Sequence, residues 1–278
     1  MKLSGIDASL LTGALAGELA AVDAVLTQIQ PLVFNLSMRM LGNREDAQDA
    51  TQQILLCVIT HLSSFRGDAK FKTWVYRITT NCLLTARSRR AEMPQVSFEP
   101  MEEKLEQGMA FGHENGLADL PQSIPPENKL AAQRVALACT QGMLMCLDSE
   151  HRLAYILDIV FGLESREAPQ RLAISDVACR KRLSRARERL QVFMQQNCSL
   201  VAENVHCKCQ TQAQMQSRVQ EAQAQSAPLA DCAKTEMLAL TRMRDAAAVF
   251  RAHPQYQVSA VMLATIRVVL KEHERRWQ

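Results

Sequence analysis

The stretch from Ser64 to Asn81 reads Ser-Phe-Arg-Gly-Asp-Ala-Lys-Phe-Lys-Thr-Trp-Val-Tyr-Arg-Ile-Thr-Thr-Asn and combines a polar, glycine-containing start with an apolar pattern. Phe71, Trp74 and Ile78 recur at i, i+3 and i+7, which is the spacing of an apolar helix face. The stretch therefore predicts a short loop followed by a helix that continues to about Arg89.

Helical periodicity continues on both sides of this stretch. Residues 6–90 are predicted to be a run of helices: one contains the apolar pattern of 32–41 and ends at Gly42, and a second runs from about 45 to 62. The last 116 residues contain no glycine, which disfavours sheets with tight turns, and a hydrophobic content of 47% excludes wholesale disorder. We predict an all-α protein.

Charge is distributed unevenly along the chain, although the formal net charge is only +3. The local balance is +6 over 66–90, −7 over 92–127 and +4 over 176–195. Two basic segments separated by an acidic one suggest two polyanion-binding surfaces. Solvated helix faces are the alternative explanation of the same pattern.

Composition also predicts the domain boundaries. Five of the nine prolines lie within 91–128 among acidic residues, which is typical of a linker. We predict a helical domain at 1–92, an acidic Pro-containing linker at 93–128, a second helical domain at 129–197 and a helical C-terminal extension at 198–278.

The second domain contains a helix-turn-helix pattern. A short helix from Ser165 to Leu172 is followed by a turn from Ala173 to Ser175 and a basic helix from Asp176 to about Met194. This order is typical of duplex-DNA binding. Many helical hairpins share it, so an ordinary helix pair is the alternative.

The nine cysteines are an odd number in a chain without a signal-peptide pattern or a stretch of 18 apolar residues, so we expect a reducing cytoplasm and no membrane span. Cys198, Cys207 and Cys209, with His206, are weak candidates for Zn²⁺ ligands. Thiol redox chemistry and an unliganded structural turn are the alternatives, and we expect no other cofactor.

The mixture of four aromatic and four basic side chains within 64–81 suits single-stranded nucleic acid, because bases stack on aromatic rings and cations neutralise phosphates. A core stripe explains Trp74 and Ile78 equally well. It does not explain the polar residues, which are Arg66, Lys70, Lys72, Arg77 and Asn81.

The run Asp46-Ala-Gln-Asp49 together with 64–81 resembles region 2 of the extracytoplasmic-function (ECF) sigma factors of bacterial RNA polymerase. Residues 130–195 are similar to region 4 of the same family. This second match departs from the family pattern at Pro169, inside the first helix of the motif, and at Ala173, where a turn glycine is usual.

The resemblance implies roles for named residues. Contacts with core polymerase would come from Asp46, Asp49, Gln52 and Gln53. Contacts with minus-ten DNA, including a pocket for a flipped base, would come from Ser64, Phe65, Arg66, Lys70, Lys72, Arg77 and Asn81. Contacts with minus-thirty-five DNA would come from Arg180, Lys181, Arg182, Arg185 and Arg187.

From these roles we expect a non-enzymatic initiation factor that binds the clamp and flap of core RNA polymerase, recognises promoter DNA and helps to melt it. The alternative is a stand-alone helix-turn-helix regulator with a metal- or redox-sensing tail; a sigma-like decoy is a third reading. The resemblance leaves open whether an anti-sigma factor also binds the protein. Because the tail carries apolar helical patterns, we expect it to pack on the sigma domains as a brake or a brace.

Overall fold

A computed structural model describes residues 6–89, 97–116, 126–162, 175–203, 205, 207–223, 243–258, 264 and 266–268. The regular elements of these residues are helices, which confirms the all-α prediction. They are α1 (Ala8–Leu15), α2 (Leu19–Leu41), α3 (Arg44–Thr60), a 3₁₀ turn (Leu62–Ser64), α4 (Phe71–Arg89), α5 (Glu99–Glu114), α6 (Pro126–Met145), α7 (Ser149–Tyr155) with a π turn (Ile156–Val160), α8 (Asp176–Asn197), α9 (Cys209–Gln223) and α10 (Ala246–Arg251).

The chain divides into two compact units. The first comprises Met1–Met93, Glu164–Cys179 and Tyr256–Gln278, and the second comprises Pro94–Leu163 and Arg180–Gln255. Chain order and spatial grouping therefore differ, because the end of the C-terminal extension belongs to the unit that contains the amino-terminal domain.

In the first unit, α2, α3 and α4 pack around a shared apolar core. Gly42 ends α2 in the left-handed region at φ +73°, as the sequence predicts, and its N–H donates to the Met38 carbonyl at 2.9 Å. The Asn43 side chain then accepts from the Asp46 N–H at 3.1 Å and caps α3. This tight corner fixes where the acidic residues of α3 begin.

By length and composition, α2 is apolar enough to cross a bilayer. However, 61% of its apolar window is buried inside the protein, and the helix packs against α1, α3 and α4. Its apolar character is that of a core helix.

The second unit contains α5, which lies within the segment predicted to be a linker and which the sequence analysis did not predict. This helix packs closely against α9, since a Cβ atom at Gly108 or Gly112 would overlap the side chain of Gln212 or Thr211. The side-chain amide of Gln212 also donates to the Leu105 carbonyl at 2.9 Å. An acidic, proline-flanked segment thus forms a packed helix.

A buried arginine connects α6 to α7. The guanidinium of Arg152 donates to the carbonyls of Leu144 at 2.6 Å, Met145 at 2.9 Å and Leu147 at 2.7 Å. Leu144 and Met145 end α6 and Leu147 follows it, so these bonds satisfy carbonyls at and just beyond the end of the helix. Arg152 is therefore a structural residue of the second unit.

Candidate nucleic-acid and polymerase interface

The loop before α4 is held in place by an aromatic cluster. Phe65 lies edge-on to Phe71, with ring centroids 5.2 Å apart, and to Trp74 at 5.6 Å, while Phe71 and Trp74 stack at 5.5 Å. The Ser64 hydroxyl donates to the His61 carbonyl at 2.6 Å. The loop therefore has a defined shape, and Trp74 is buried as the core-stripe reading predicts.

This loop lines an open cavity of about 390 Å³. Its lining residues are Ser64, Phe65, Arg66, Gly67, Asp68, Ala69, Thr73, Trp74 and Arg77. Arg66 and Arg77 are exposed and bring two positive charges to its rim, opposed by one carboxylate from Asp68. An aromatic wall beside exposed guanidinium groups suits a nucleobase attached to its phosphate.

The structure brings four predicted minus-ten residues to this cavity and places three elsewhere. Lys70 is exposed on the loop, and its carbonyl accepts the first N–H groups of α4. Lys72 is half-buried, with its ammonium 5.9 Å from the Tyr76 ring centroid. Asn81 is exposed and lines a second cleft, of about 280 Å³, together with Gln53.

The predicted polymerase-binding residues lie along α3. Asp49 and Gln53 are exposed, whereas Asp46 and Gln52 are half-buried. Asp46 lies in the first turn of the helix, where a carboxylate interacts favourably with the helix dipole. The cleft shared by Gln53 and Asn81 places the predicted polymerase face next to a predicted DNA contact.

The basic residues of α8 separate into two groups. Arg180, Lys181 and Arg185 are exposed. In contrast, Arg182 pairs with Glu150 at 2.6 Å and Arg187 pairs with Asp158 at 2.6 Å. Leu183 and Ala186 are buried.

Part of the predicted helix-turn-helix lies outside the described residues. This part comprises the first helix with Pro169 and most of the turn with Ala173. Ser175 is described, and its hydroxyl accepts the Ala178 N–H at 3.2 Å at the start of α8.

Four thiols line a small apolar cavity of about 20 Å³ in the second unit: Cys139, Cys198, Cys207 and Cys209. Burial, assisted by the nearby Cys198 thiol, raises the pKa of Cys207 to about 11, and burial raises the pKa of Cys139 and Cys209 as well. His206 lies outside the described residues. Within the described part of the chain, no group of three or more His, Cys, Asp or Glu residues is arranged to hold a metal ion.

Sequence reasoning missed Cys139, because its helical context in α6 marked it as an ordinary small core residue. It also missed the neighbouring thiols of Cys57 and Cys82 on α3 and α4. Burial first, and then the Cys57 thiol, raise the pKa of Cys82 to about 11. No local pattern in the sequence connects cysteines on different helices.

Known proteins resemble this chain over about two thirds of its length. Residues 25–92 match the family model of sigma-70 region 2. The ECF RNA polymerase sigma factor SigE of Mycolicibacterium smegmatis is 27% identical over 182 residues, which cover 66% of this chain and 65% of that protein. The RNA polymerase sigma-H factor of Pseudomonas aeruginosa is 27% identical over 182 residues, which cover 64% and 89%.

A third relative, the ECF RNA polymerase sigma factor SigM of Mycobacterium tuberculosis, is 28% identical over 184 residues, covering 66% of this chain and 82% of that protein. The match therefore spans just under two thirds of SigE and more of the other two relatives.

Proposed function

We propose that this chain, which belongs to the ECF group of the sigma-70 family, is a sigma factor for transcription initiation that directs core RNA polymerase to promoters. We further propose that it captures an unpaired minus-ten base in the loop cavity. The observation that carries the proposal is the cavity itself, with its aromatic wall and its cationic rim. A duplex-binding regulator, which is the alternative function, has no use for such a pocket.

The energetics of base capture fit this cavity. Extruding a base from the stack costs a few kcal/mol. Contact with an aromatic face returns about 1–3 kcal/mol per base, and Arg66 and Arg77 add attraction to the phosphates on either side. The volume of about 390 Å³ lies in the usual range for small-ligand sites, roughly 300–1,000 Å³.

Asn81 serves a second position of the minus-ten element. Its carboxamide both donates and accepts hydrogen bonds, so it can distinguish base edges. Because it lines its own cleft rather than the loop cavity, the base that it contacts differs from the captured one.

Core binding uses the acidic face of α3, where Asp49 and Gln53 are exposed for contact with the polymerase clamp. Contact of the second unit with the polymerase flap completes the docking.

At the minus-thirty-five element, Arg180, Lys181 and Arg185 contact DNA directly. Arg182 and Arg187 form ion pairs with Glu150 and Asp158. They contact DNA only if they leave these carboxylates; otherwise they help to hold α8 in position.

The remaining expectations follow from the family. The protein acts in the cytoplasm, without enzymatic activity and without a required cofactor. Whether an anti-sigma factor also binds it is left open. Zn²⁺ at Cys198, His206, Cys207 and Cys209 stays an untested alternative, because His206 lies outside the described residues.

A base-analogue experiment tests the proposal. Promoter DNA carries 2-aminopurine at each minus-ten position in turn, and fluorescence is followed when holoenzyme binds. In Arg77→Ala, the affinity derived from the fluorescence change at one position should fall by about tenfold or more. Arg134→Ala, which removes an exposed cation of α6, should leave that affinity unchanged. Equal losses in both variants, or a normal signal in Arg77→Ala, would contradict base capture by this cavity.

A further inference from the structure

The core helix α2 buries four polar side chains in the first unit, and two of them are Asn35 and Arg39. Asn35 is 1% exposed and Arg39 is 2% exposed, among neighbours that are almost all apolar. Burial of an amide or a guanidinium is unfavourable unless its hydrogen-bonding groups are satisfied. These residues therefore indicate a partner that is equally buried.

That partner is the C-terminal segment. The Asn35 carboxamide accepts the Tyr256 N–H at 2.8 Å and donates to the Tyr256 carbonyl at 3.0 Å, so one side chain satisfies both backbone groups of one residue. Arg39 donates to the Asn35 side-chain oxygen at 2.9 Å and lies 5.2 Å from the Tyr256 ring centroid. Tyr256 itself is only 4% exposed.

Two further contacts lie on α2 and at the start of α3. The Arg44 guanidinium donates to the Gln257 carbonyl at 3.2 Å. Arg267 binds both carboxylate oxygens of Asp23, at 2.6 and 3.0 Å. From Asp23 to Arg39 the helix rises about 24 Å, at 1.5 Å per residue. The described C-terminal residues thus contact α2 at two well-separated points, Asp23 and the Asn35–Arg39 pair.

The side of α3 that meets the segment differs from its acidic side. At about 100° per residue, Asp49 lies about 140° and Gln53 about 180° around the helix from Arg44. A segment bound at Arg44 therefore leaves the predicted polymerase face uncovered. This geometry favours a brace, meaning a segment that stabilises the first unit, over a brake, meaning a segment that blocks polymerase binding.

We propose that the C-terminal stretches 256–258 and 266–268 are intramolecular ligands of an interaction surface built from Asp23, Asn35 and Arg39 on α2 and Arg44 at the start of α3. Their binding stabilises the first unit and leaves the acidic face of α3 open to core polymerase. The surface recognises main-chain polar groups, one buried aromatic ring and one basic side chain. The statement about polymerase, and only that statement, rests on the proposed function.

A charge exchange tests the docking in the full-length chain. Hydrogen exchange of the amides in 19–41 and 256–268 should become about two- to fivefold faster in Asp23→Arg and in Arg267→Asp, since an exposed ion pair is a modest contact. The double variant should recover to within about twofold of wild type. Val268→Ala, at an exposed neighbouring position, is the matched control and should exchange like wild type. A double variant as fast as the single ones would overturn the proposal.

Core binding by the same variants distinguishes a brace from a brake. Tyr256→Ala, which removes the buried ring, should bind core polymerase no more tightly than wild type at a temperature where it is folded. Any loss of core-polymerase binding in Asp23→Arg or in Arg267→Asp should be recovered when the two substitutions are combined. Tighter binding by Tyr256→Ala would overturn the brace. If Asp46→Arg with Asp49→Arg binds core normally, the proposed function fails, while the exchange result still decides the docking.

Discussion

Phe65 offers the sharpest perturbation of base capture, because it shapes the cavity without being a charged DNA contact. Its ring makes edge-on contacts with Phe71 and Trp74 at 5.2 and 5.6 Å. Such aromatic pairs are worth about 0.5–1.5 kcal/mol each, so Phe65→Ala removes about 1–3 kcal/mol of loop stabilisation. That corresponds to a roughly 5- to 150-fold smaller equilibrium constant for the loop conformation in which these rings are in contact.

The assay is the affinity of holoenzyme for a single-stranded minus-ten oligonucleotide, compared with its affinity for duplex minus-thirty-five DNA. We expect the first to fall by about that factor and the second to stay unchanged. Phe65→Leu should lie between wild type and Phe65→Ala, since it keeps apolar contact but loses the ring pairs. Normal single-strand affinity in Phe65→Ala, with its thermal stability unchanged, would refute the reasoning.

Four further outcomes are expected. Asp46→Arg with Asp49→Arg should abolish core binding in a pull-down while the far-ultraviolet helical signal persists; normal co-purification would contradict the assignment. Asn81→Ala should relax base preference at one minus-ten position at a cost of about 1–3 kcal/mol, and an equal loss for every variant base would refute a reading role. Arg180→Ala should weaken duplex minus-thirty-five binding and lower the salt slope by about one if it contacts phosphate. Alkylation of Cys207 should be slow at pH 8 and rise about tenfold per pH unit towards pH 11, because a raised pKa keeps the thiol protonated; fast labelling at pH 8 would contradict its burial.

Local patterns predicted the helices of the first unit well. The predicted ranges 45–62 and 71–89 correspond to α3 (Arg44–Thr60) and α4 (Phe71–Arg89). Both carry a clear apolar face, and Gly42 gives an unambiguous stop. The apolar pattern at 32–41 marks only the C-terminal part of α2, which begins at Leu19 and buries residues on more than one stripe.

Contacts between segments that are distant in the chain could not be predicted, because no local sequence pattern marks them. The helix α5 was missed because acidic residues and prolines indicated a linker, whereas its packing depends on two glycines that face α9. Asn35 and Tyr256 are 221 residues apart, and nothing near either residue identifies the other. The same holds for the candidate site: the residues of the loop cavity could be predicted because they are contiguous, whereas the position of Asn81 in another cleft could not.

Run-off transcription on a random promoter library tests the central claim most directly. Core RNA polymerase is supplied with this chain, and the transcribed templates are sequenced. We predict templates with two constrained elements at a fixed spacing, the downstream one containing a position at which one base strongly dominates. Transcription no higher than with core polymerase alone, or templates enriched for a single duplex element, would contradict the account.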